Sequence, residues 1–214
     1  KHFAGMQVLE ANPEIVEYMK TQGSLLHYEE FDHQYPHCWR CRNPVLFRAT
    51  PQWFINLDKE GFRERVLQTI QKVRWIPAWG EERISNMVRD RPDWCISRQR
   101  DWGVPIIAFF CKACDEVLLD KKVIDHVASF FGKEGADAWY AHSAKELLPE
   151  GTTCAKCGGA DFRQEYNILD VWFDSGSTHL ATLGRRPDLP WPADLYIEGG
   201  DQYRGWFQSS LLVG

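Results

Sequence analysis

The chain has 214 residues and a net charge of −5, with 44% hydrophobic and 26% charged residues, which excludes a disordered, collagen-like or coiled-coil protein. The longest apolar run, Val104–Cys111, contains a proline and is far too short to span a bilayer, so we expect no membrane partner. The chain has no overall basic charge for nucleic acid and no basic-then-apolar export signal, so we expect a cytoplasmic protein.

Both ends of the sequence suggest a piece of a longer protein. The first methionine is Met6, so Lys1 is an unusual start. The apolar run Trp206–Val213 stops at Gly214, where a helix of this kind would normally continue into its cap. We therefore expect an internal fragment.

Apolar periodicity predicts a mixed α/β chain. Asn12-Pro13-Glu14 begins a helix that Gly23 ends. Further helices are predicted over Phe62–Val73, Trp79–Val88 and Val123–Phe131, and a last one from about Gln202. Strands are predicted over the following segments: Leu25–Phe31, Pro44–Thr50, Trp53–Leu57, Ile106–Phe110, Asp161–Tyr166 and Leu195–Ile197.

Six of the seven cysteines form C-x-x-C pairs, namely Cys38/Cys41, Cys111/Cys114 and Cys154/Cys157. In a reducing compartment such pairs are typical zinc ligands, and two pairs complete one tetrahedral site. The third pair is then left over, which again suggests that its partner lies outside this chain. Cys95 stands alone and is predicted to be an ordinary buried thiol.

Spacing alone leaves the pairing of the cysteine pairs open. We favour Cys111 and Cys114 with Cys154 and Cys157, because one predicted strand runs into Cys111 and another follows Cys157. The Gly158-Gly159 turn also suits a knuckle in which backbone N–H groups face the sulfurs. The expected metal is one structural Zn²⁺, with reduced, metal-free cysteines as the alternative. A redox role is disfavoured because Lys112-Ala113 follows a strand and not a loop at a helix start.

Three strings of residues carry the functional prediction: 94–105, 169–177 and 196–207. In the third, Glu198 and Gly199 follow a predicted buried strand and precede a helix, the place where α/β sheets bind ligands. The carboxylates of Glu198 and Asp201 suit ribose hydroxyls or an ammonium group, and Gln202 can both donate and accept. Trp206, four residues after Gln202, would wall an apolar pocket on the same helical face. A solvated acidic helix cap is the alternative for this string alone.

Taken together, the three strings resemble the class I aminoacyl-tRNA synthetases, and among them the isoleucyl-tRNA synthetases. The Asp-Val-Trp-Phe-Asp-Ser-Gly-Ser run at 170–177 and the Gly-Asp-Gln-x-Arg-Gly-Trp-Phe run at 200–207 favour this family over its valyl and leucyl relatives. The resemblance covers nearly the whole chain and implies an α/β fold: a partial Rossmann-type catalytic domain, a zinc-knuckle-bearing inserted subdomain and the tail of an editing domain.

The resemblance also implies domain boundaries. Residues 1–48 would be the editing-domain tail with the first cysteine pair, and residues 49–93 a segment returning to the catalytic domain. Residues 94–168 would form the catalytic-domain junction with the zinc-binding insertion, and residues 169–214 part of the Rossmann domain. Cys38 and Cys41 would then be a half-site completed by a pair upstream of this chain.

The implied activity is that of an isoleucine–tRNA ligase. Such an enzyme activates isoleucine with ATP and Mg²⁺ to isoleucyl-adenylate and transfers the aminoacyl group to tRNA(Ile); we expect it to be monomeric. The resemblance assigns no catalytic residue within this chain. It assigns adenylate contacts and a side-chain pocket to the following residues: Glu198, Gly199, Asp201 and Gln202 for the adenylate, and Trp172 and Trp206 for the pocket.

Two positions depart from the family, which more usually has serine at Gly200 and histidine at Tyr203. The nucleotide-binding His-Ile-Gly-His and Lys-Met-Ser-Lys-Ser motifs are absent from these residues, so we expect the chain alone to be inactive. The alternative function is a free-standing zinc-knuckle module that binds RNA or protein, with phosphates facing the following arginines: Arg98, Arg100, Arg185, Arg186 and Arg204.

Overall fold

A computed structural model describes residues 2–38 and 41–214, and it divides the chain into two compact units, Lys1–Thr50 and Pro51–Gly214. The first unit carries helix α1, Ala11–Thr21. This helix ends as the sequence predicts: Gly23 adopts a φ of +63°, and the Ser24 N–H donates to the Met19 carbonyl at 3.0 Å. Such a left-handed residue closes a helix because it turns orphan carbonyls back onto following N–H groups.

Three of the predicted strands are wrong: Leu25–Phe31, Pro44–Thr50 and Leu195–Ile197 form no ladder with any described residue. In the first unit the described residues contain only one isolated bridge, between His37 and Pro44. Leu195 and Ile197 are 75% and 73% exposed, although the sequence predicts a buried strand there. An apolar run forms a strand only where a neighbouring strand takes up its N–H and C=O groups.

The second unit alternates helices with very short strands. Its helices are α2 (Phe62–Ile70), α3 (Trp79–Arg89), α4 (Lys121–Glu134), α5 (Ala138–Ala141), α6 (Ala144–Leu147), α7 (Val171–Gly176) and α8 (Trp206–Val213). Its strands are β1 (Phe54–Ile55), β2 (Trp94–Cys95), β3 (Ser97–Arg98), β4 (Phe109–Cys111), β5 (Val117–Leu118), β6 (Phe162–Gln164) and β7 (Ile168–Leu169). The predicted helices are confirmed within a few residues, except the last, which a 3₁₀ helix and a break divide.

All the strand pairs among the described residues are antiparallel. β4 lies between β5 and β6, with Phe110 opposite Val117 on one side and Arg163 on the other. The segment carrying β2 and β3 pairs first with β1 and then with β7, so that Ser97 lies opposite Leu169. This segment therefore joins the start of the unit to the element just before α7.

Two apolar cores hold these elements. The first packs the β5–β4–β6 sheet under α4, α5 and α6, and its buried members are Phe109, Cys111, Val123, Val127, Trp139, Ala144, Leu147, Leu148, Cys154 and Phe162. Trp139 is fully buried there and donates from Nε1 to the Glu165 carbonyl at 2.7 Å. The second core joins α2 and α3 through Val66, Ile70, Ile84 and Val88, with Tyr203 and Leu211 packed against it. No helix in the described ranges is long and apolar enough to cross a membrane.

Helices α7 and α8 pack against each other at a glycine. A Cβ added to Gly176 would lie 2.6 Å from the Ser209 carbonyl oxygen and 3.1 Å from a Val213 methyl group. Both distances are shorter than van der Waals contact, and the first partner is backbone, which cannot rotate away. The sequence Asp-Ser-Gly-Ser therefore places glycine where two helix backbones approach.

We expect Gly176→Ala to lower the free energy of unfolding by about 1–3 kcal/mol, the usual cost of forcing extra atoms into a packed interface. Gly132→Ala is the matched control, because it lies in α4 and its added Cβ would meet no atom within 4 Å. That control should be neutral or stabilising by up to about 1 kcal/mol, since alanine favours helix over glycine. Urea denaturation of both variants measures the difference, and equal stabilities would contradict the close approach.

Candidate functional site

Four cysteine sulfurs converge beside the first core. The sulfurs of Cys111, Cys114, Cys154 and Cys157 all lie within 4.8 Å of one another. The Cys111–Cys157 and Cys114–Cys154 sulfur distances are 3.5 and 3.7 Å. Disulfide sulfurs lie about 2.05 Å apart, whereas tetrahedral ligands at about 2.3 Å from one zinc ion lie roughly 3.8 Å apart. The donor set and its spacing therefore fit zinc, on the four cysteines that the sequence predicts.

The two cysteine turns share one backbone geometry. The Cys111 N–H donates to the Glu116 carbonyl at 2.9 Å, and the Asp115 N–H returns to the Cys111 carbonyl at 2.8 Å. Cys154 repeats both bonds at 2.8 Å, with the Gly159 carbonyl and the Gly158 N–H. The residue four after each first cysteine has a positive φ, 54° at position 115 and 72° at position 158. Each turn therefore closes between its first cysteine and the residue five positions further on.

The pKa values of two cluster thiols are shifted in opposite directions. The pKa of Cys154 is lowered to about 7, because the backbone N–H groups of Cys157 and Lys156 donate to its sulfur. The Glu116 N–H favours the thiolate of Cys114 as well, but hydrogen bonds with the other three sulfurs raise its pKa to about 12. Thiolates this close repel one another, so all four ionise together only around a cation.

Cys38 and Cys41 lie in the first unit and belong to no group of three or more possible metal ligands among the described residues. Cys38 is half-buried and Cys41 is exposed. Their turn nevertheless follows the same rule: the Cys38 N–H donates to the Asn43 carbonyl at 2.8 Å, and the Arg42 N–H returns to the Cys38 carbonyl at 2.9 Å. Arg42 has a φ of 63°, matching the positive φ of the other two turns.

The proposed adenylate residues lie on and before a 3₁₀ helix, Gly200–Arg204. Glu198 is exposed and accepts from the Gly199 N–H at 3.3 Å. Asp201 is exposed too, and its carboxylate accepts from Gln202 Nε2 at 2.9 Å. A Cβ at Gly199 would lie 2.8 Å from the Asp201 carboxylate, so glycine there leaves room for that side chain.

Gln202 links these polar groups to the tryptophans. Its Oε1 accepts from the Trp206 backbone N–H at 3.0 Å, across the break in the helix at Gly205. A Cβ at Gly205 would lie 2.2 Å from that same oxygen and 3.1 Å from the tip of the Trp172 ring. The structure therefore brings Trp172, Gln202 and Trp206 together around one glycine, although Gln202 and Trp206 do not share a continuous helix as the sequence predicts.

The two positions that depart from the family do not disturb this arrangement. A Cβ at Gly200 would meet no atom within 4 Å, so serine and glycine are equally accommodated. The Tyr203 ring packs beside Phe207 with ring centroids 6.2 Å apart, and the Arg83 guanidinium lies 5.1 Å from its centroid. Tyr203 therefore contacts the α3 side of the unit.

Two residues that hold Trp206 were missed by sequence reasoning. The Trp206 indole Nε1 donates to the Ser175 carbonyl at 2.7 Å, and its ring centroid lies 4.1 Å from that of Tyr196. The Tyr196 hydroxyl in turn lies 2.7 Å from the Ser210 hydroxyl oxygen. Tyr196 could have been predicted, because it is the aromatic residue that begins the third string. Ser175 could not, because it binds Trp206 through its main-chain carbonyl and its side chain takes no part.

Comparison with known proteins agrees with these motifs. The family model for tRNA synthetases class I (I, L, M and V) matches residues 7–214. The isoleucine–tRNA ligase of Petrotoga mobilis is 57% identical over 212 residues, covering 99% of this chain and 23% of that protein. Those of Persephonella marina and Caldicellulosiruptor saccharolyticus are each 56% identical, over 98% and 99% of this chain. The chain spans about 23% of the length of these curated relatives. It belongs to the class I tRNA synthetases for isoleucine, leucine, methionine and valine, and its curated relatives among them are isoleucine–tRNA ligases.

Proposed function

We propose that this chain is the part of an isoleucine–tRNA ligase that holds the amino acid and the adenylate. The observation that carries the proposal is the convergence of Trp172, Gln202 and Trp206 at Gly205, with the Asp201 carboxylate hydrogen-bonded to Gln202. This group places the Trp172 ring and the start of the helix that carries Trp206 beside polar donors and acceptors, which suits an aliphatic amino acid joined to a nucleotide.

Each residue has a separate task in this proposal. The Asp201 and Glu198 carboxylates accept hydrogen bonds from the ammonium group and the ribose hydroxyls. Gln202 keeps its amide in place through the Trp206 N–H, so the amide meets the adenylate in a fixed orientation. Gly199 lets the ligand approach the main chain. The rate gain from this part of the site comes from positioning, because the groups that stabilise charge on the transferring phosphate are not among these residues.

The apolar side of the pocket sets a limit on selectivity. Trp172 and Trp206 offer ring surface to an aliphatic side chain, and ring surface cannot strongly exclude valine. One methylene in such a pocket contributes about 1–3 kcal/mol, a range for which isoleucyl-tRNA synthetase is itself the standard example. Editing by another part of the ligase would supply the remaining discrimination.

The proposed division of the chain follows from the same assignment. Residues 1–48 would be the tail of the editing domain, and residues 49–93 the connection back to the catalytic domain. Residues 94–168 would be the junction with its zinc-binding insertion, and residues 169–214 a part of the Rossmann-type domain. ATP with Mg²⁺ and tRNA(Ile) would be the remaining partners of a cytoplasmic, monomeric ligase.

Zinc has a structural role in this proposal. Cys111, Cys114, Cys154 and Cys157 would hold it with four sulfurs, which leaves no open position for water or substrate. The metal would cross-link the ends of β4 and β6 next to the first core. Cys38 and Cys41 would form half of a second site, completed by a cysteine pair from another part of the ligase.

In a ligase that contains this chain, we expect Asp201→Ala to lower isoleucine-dependent ATP–pyrophosphate exchange by about ten- to a hundredfold. Loss of a hydrogen bond to a charged group costs roughly 1.5–3 kcal/mol, which corresponds to that range. Cys95→Ala is the control, since its sulfur makes only long polar contacts of 3.7 Å or more, and it should retain normal exchange. The isolated 214-residue chain should show no exchange, and robust exchange by it would refute the assignment.

We expect the purified chain to carry one zinc ion that Cys114→Ser releases and Cys95→Ser retains. The reason is that removing one of four sulfurs opens the tetrahedral site, whereas Cys95 lies outside the cluster. Elemental analysis together with a count of reactive thiols measures both variants. Metal-free protein with the four cluster thiols reduced and reactive would rule out the zinc assignment.

A further inference from the structure

Asp170 is a buried carboxylate at the entrance to α7, and the proposed function does not use it. The residue is 4% exposed. Its side chain accepts from the Trp94 indole Nε1 at 3.0 Å and forms an ion pair with Arg98 at 2.9 Å. Its own N–H donates to the Ile96 carbonyl at 2.7 Å. A buried charge with this many partners is held in one orientation, since losing any partner would leave part of it unpaired.

The same carboxylate begins α7. Its other oxygen accepts from the Trp172 N–H at 3.3 Å, which makes Asp170 the N-cap of a six-residue helix. A helix this short has little stability of its own and depends on its cap and its packing. Trp172 lies in the first turn, two residues after the cap, so the direction of its side chain depends on where Asp170 is held.

The partners of Asp170 belong to a different part of the unit. Trp94 lies in β2 and Arg98 in β3, on the extended segment that pairs with β1 and β7. Arg98 also donates to the Cys95 carbonyl at 2.9 Å, so its guanidinium is fixed to the same segment. The Trp94 ring packs beside Phe173 with centroids 6.0 Å apart. The carboxylate therefore joins the strand segment to the helix that carries Trp172.

We propose that Asp170 is a positioning residue: held by Arg98 and Trp94, it sets the place of Trp172 in the amino-acid pocket and thereby the KM for isoleucine. This inference rests on the proposed function for the role of Trp172 in the pocket. Whether Asp170 determines the position of Trp172 does not depend on the proposed function, because that position can be measured without an activity assay.

The first experiment follows Trp172 in the 214-residue chain labelled with 5-fluorotryptophan. Trp172→Phe identifies its ¹⁹F resonance among those of the ten tryptophans. We expect Asp170→Ala to shift or broaden this resonance, and Asp170→Asn to shift it less, because asparagine keeps the helix cap but cannot form the ion pair with Arg98. Asp188→Asn is the control, since Asp188 is exposed and its carboxylate pairs with nearby Arg186. An unmoved Trp172 resonance in folded Asp170→Ala would overturn the proposal.

The second experiment measures exchange kinetics in a ligase that contains this chain. Asp170→Ala should raise the KM for isoleucine about tenfold, the size that loss of a helix cap carries, with kcat and the KM for ATP nearly unchanged. Asp170→Asn should restore the KM for isoleucine to within about threefold. A purely structural role would reduce the active fraction, and so the apparent kcat, at constant KM, and this outcome would also overturn the proposal.

Trp172→Ala distinguishes the pocket role of Trp172 from the positioning role of Asp170. If it leaves the KM for isoleucine unchanged, the pocket assignment of Trp172 is wrong, and the ¹⁹F shift alone decides whether Asp170 positions it. If it raises that KM while Asp170→Ala does not, the positioning role is wrong and the pocket assignment stands. Should Asp170→Ala fail to fold, Arg98→Gln removes the ion pair but keeps the cap, and it should shift the same resonance.

Discussion

The approach of α7 to α8 is the constraint on which the proposed pocket depends. Gly176 lets the backbone of Ser209 come so close that no side chain fits between the helices. At this separation the Trp206 indole Nε1 donates to the Ser175 carbonyl at 2.7 Å. The Trp206 ring is therefore held by a main-chain contact between the two packed helices.

The cysteine-bearing part of the unit is built on a different principle. Its core is apolar, and its edge is a turn that occurs twice, each time with one positive-φ residue four positions after the first cysteine. Position 115 takes this conformation with aspartate and position 158 with glycine, and the corresponding position 42 of the separate turn in the first unit takes it with arginine. A positive φ costs a non-glycine residue about 1 kcal/mol or more, which the hydrogen bonds of the turn and the sulfur contacts offset. The convergence of the four sulfurs and the backbone conformation of the turns thus support each other.

Sequence patterns predicted the features whose causes are local. The helices over α2, α3 and α4 follow from apolar spacing on one face, and the four-cysteine cluster follows from paired spacing and flanking strands. The strand predicted over Leu195–Ile197 is wrong because a strand needs a partner, and no described strand lies beside this segment. The prediction of one continuous helix from Gln202 is wrong because Gly205, with φ −110° and ψ −120°, interrupts the helix. The burial of Asp170 under Trp94 and Arg98 was not predicted, because it depends on contacts 70 or more residues apart along the chain, which no local pattern contains.

The sequence separation of the contacts has a consequence for the order of folding. The outermost cluster sulfurs, those of Cys111 and Cys157, are 46 residues apart, and the buried core beside them lies within Phe109 to Phe162. The hydrogen bond from Trp53 to Glu165 spans 112 residues, and the bond from Arg91 to Gln208 spans 117. A contact between residues far apart in the sequence costs more chain entropy to form. It also cannot form until the later of its two residues has been synthesised. During synthesis from the N-terminus, the core beside the four cysteines can therefore assemble before α8 has emerged from the ribosome, and the contacts of α8 form later.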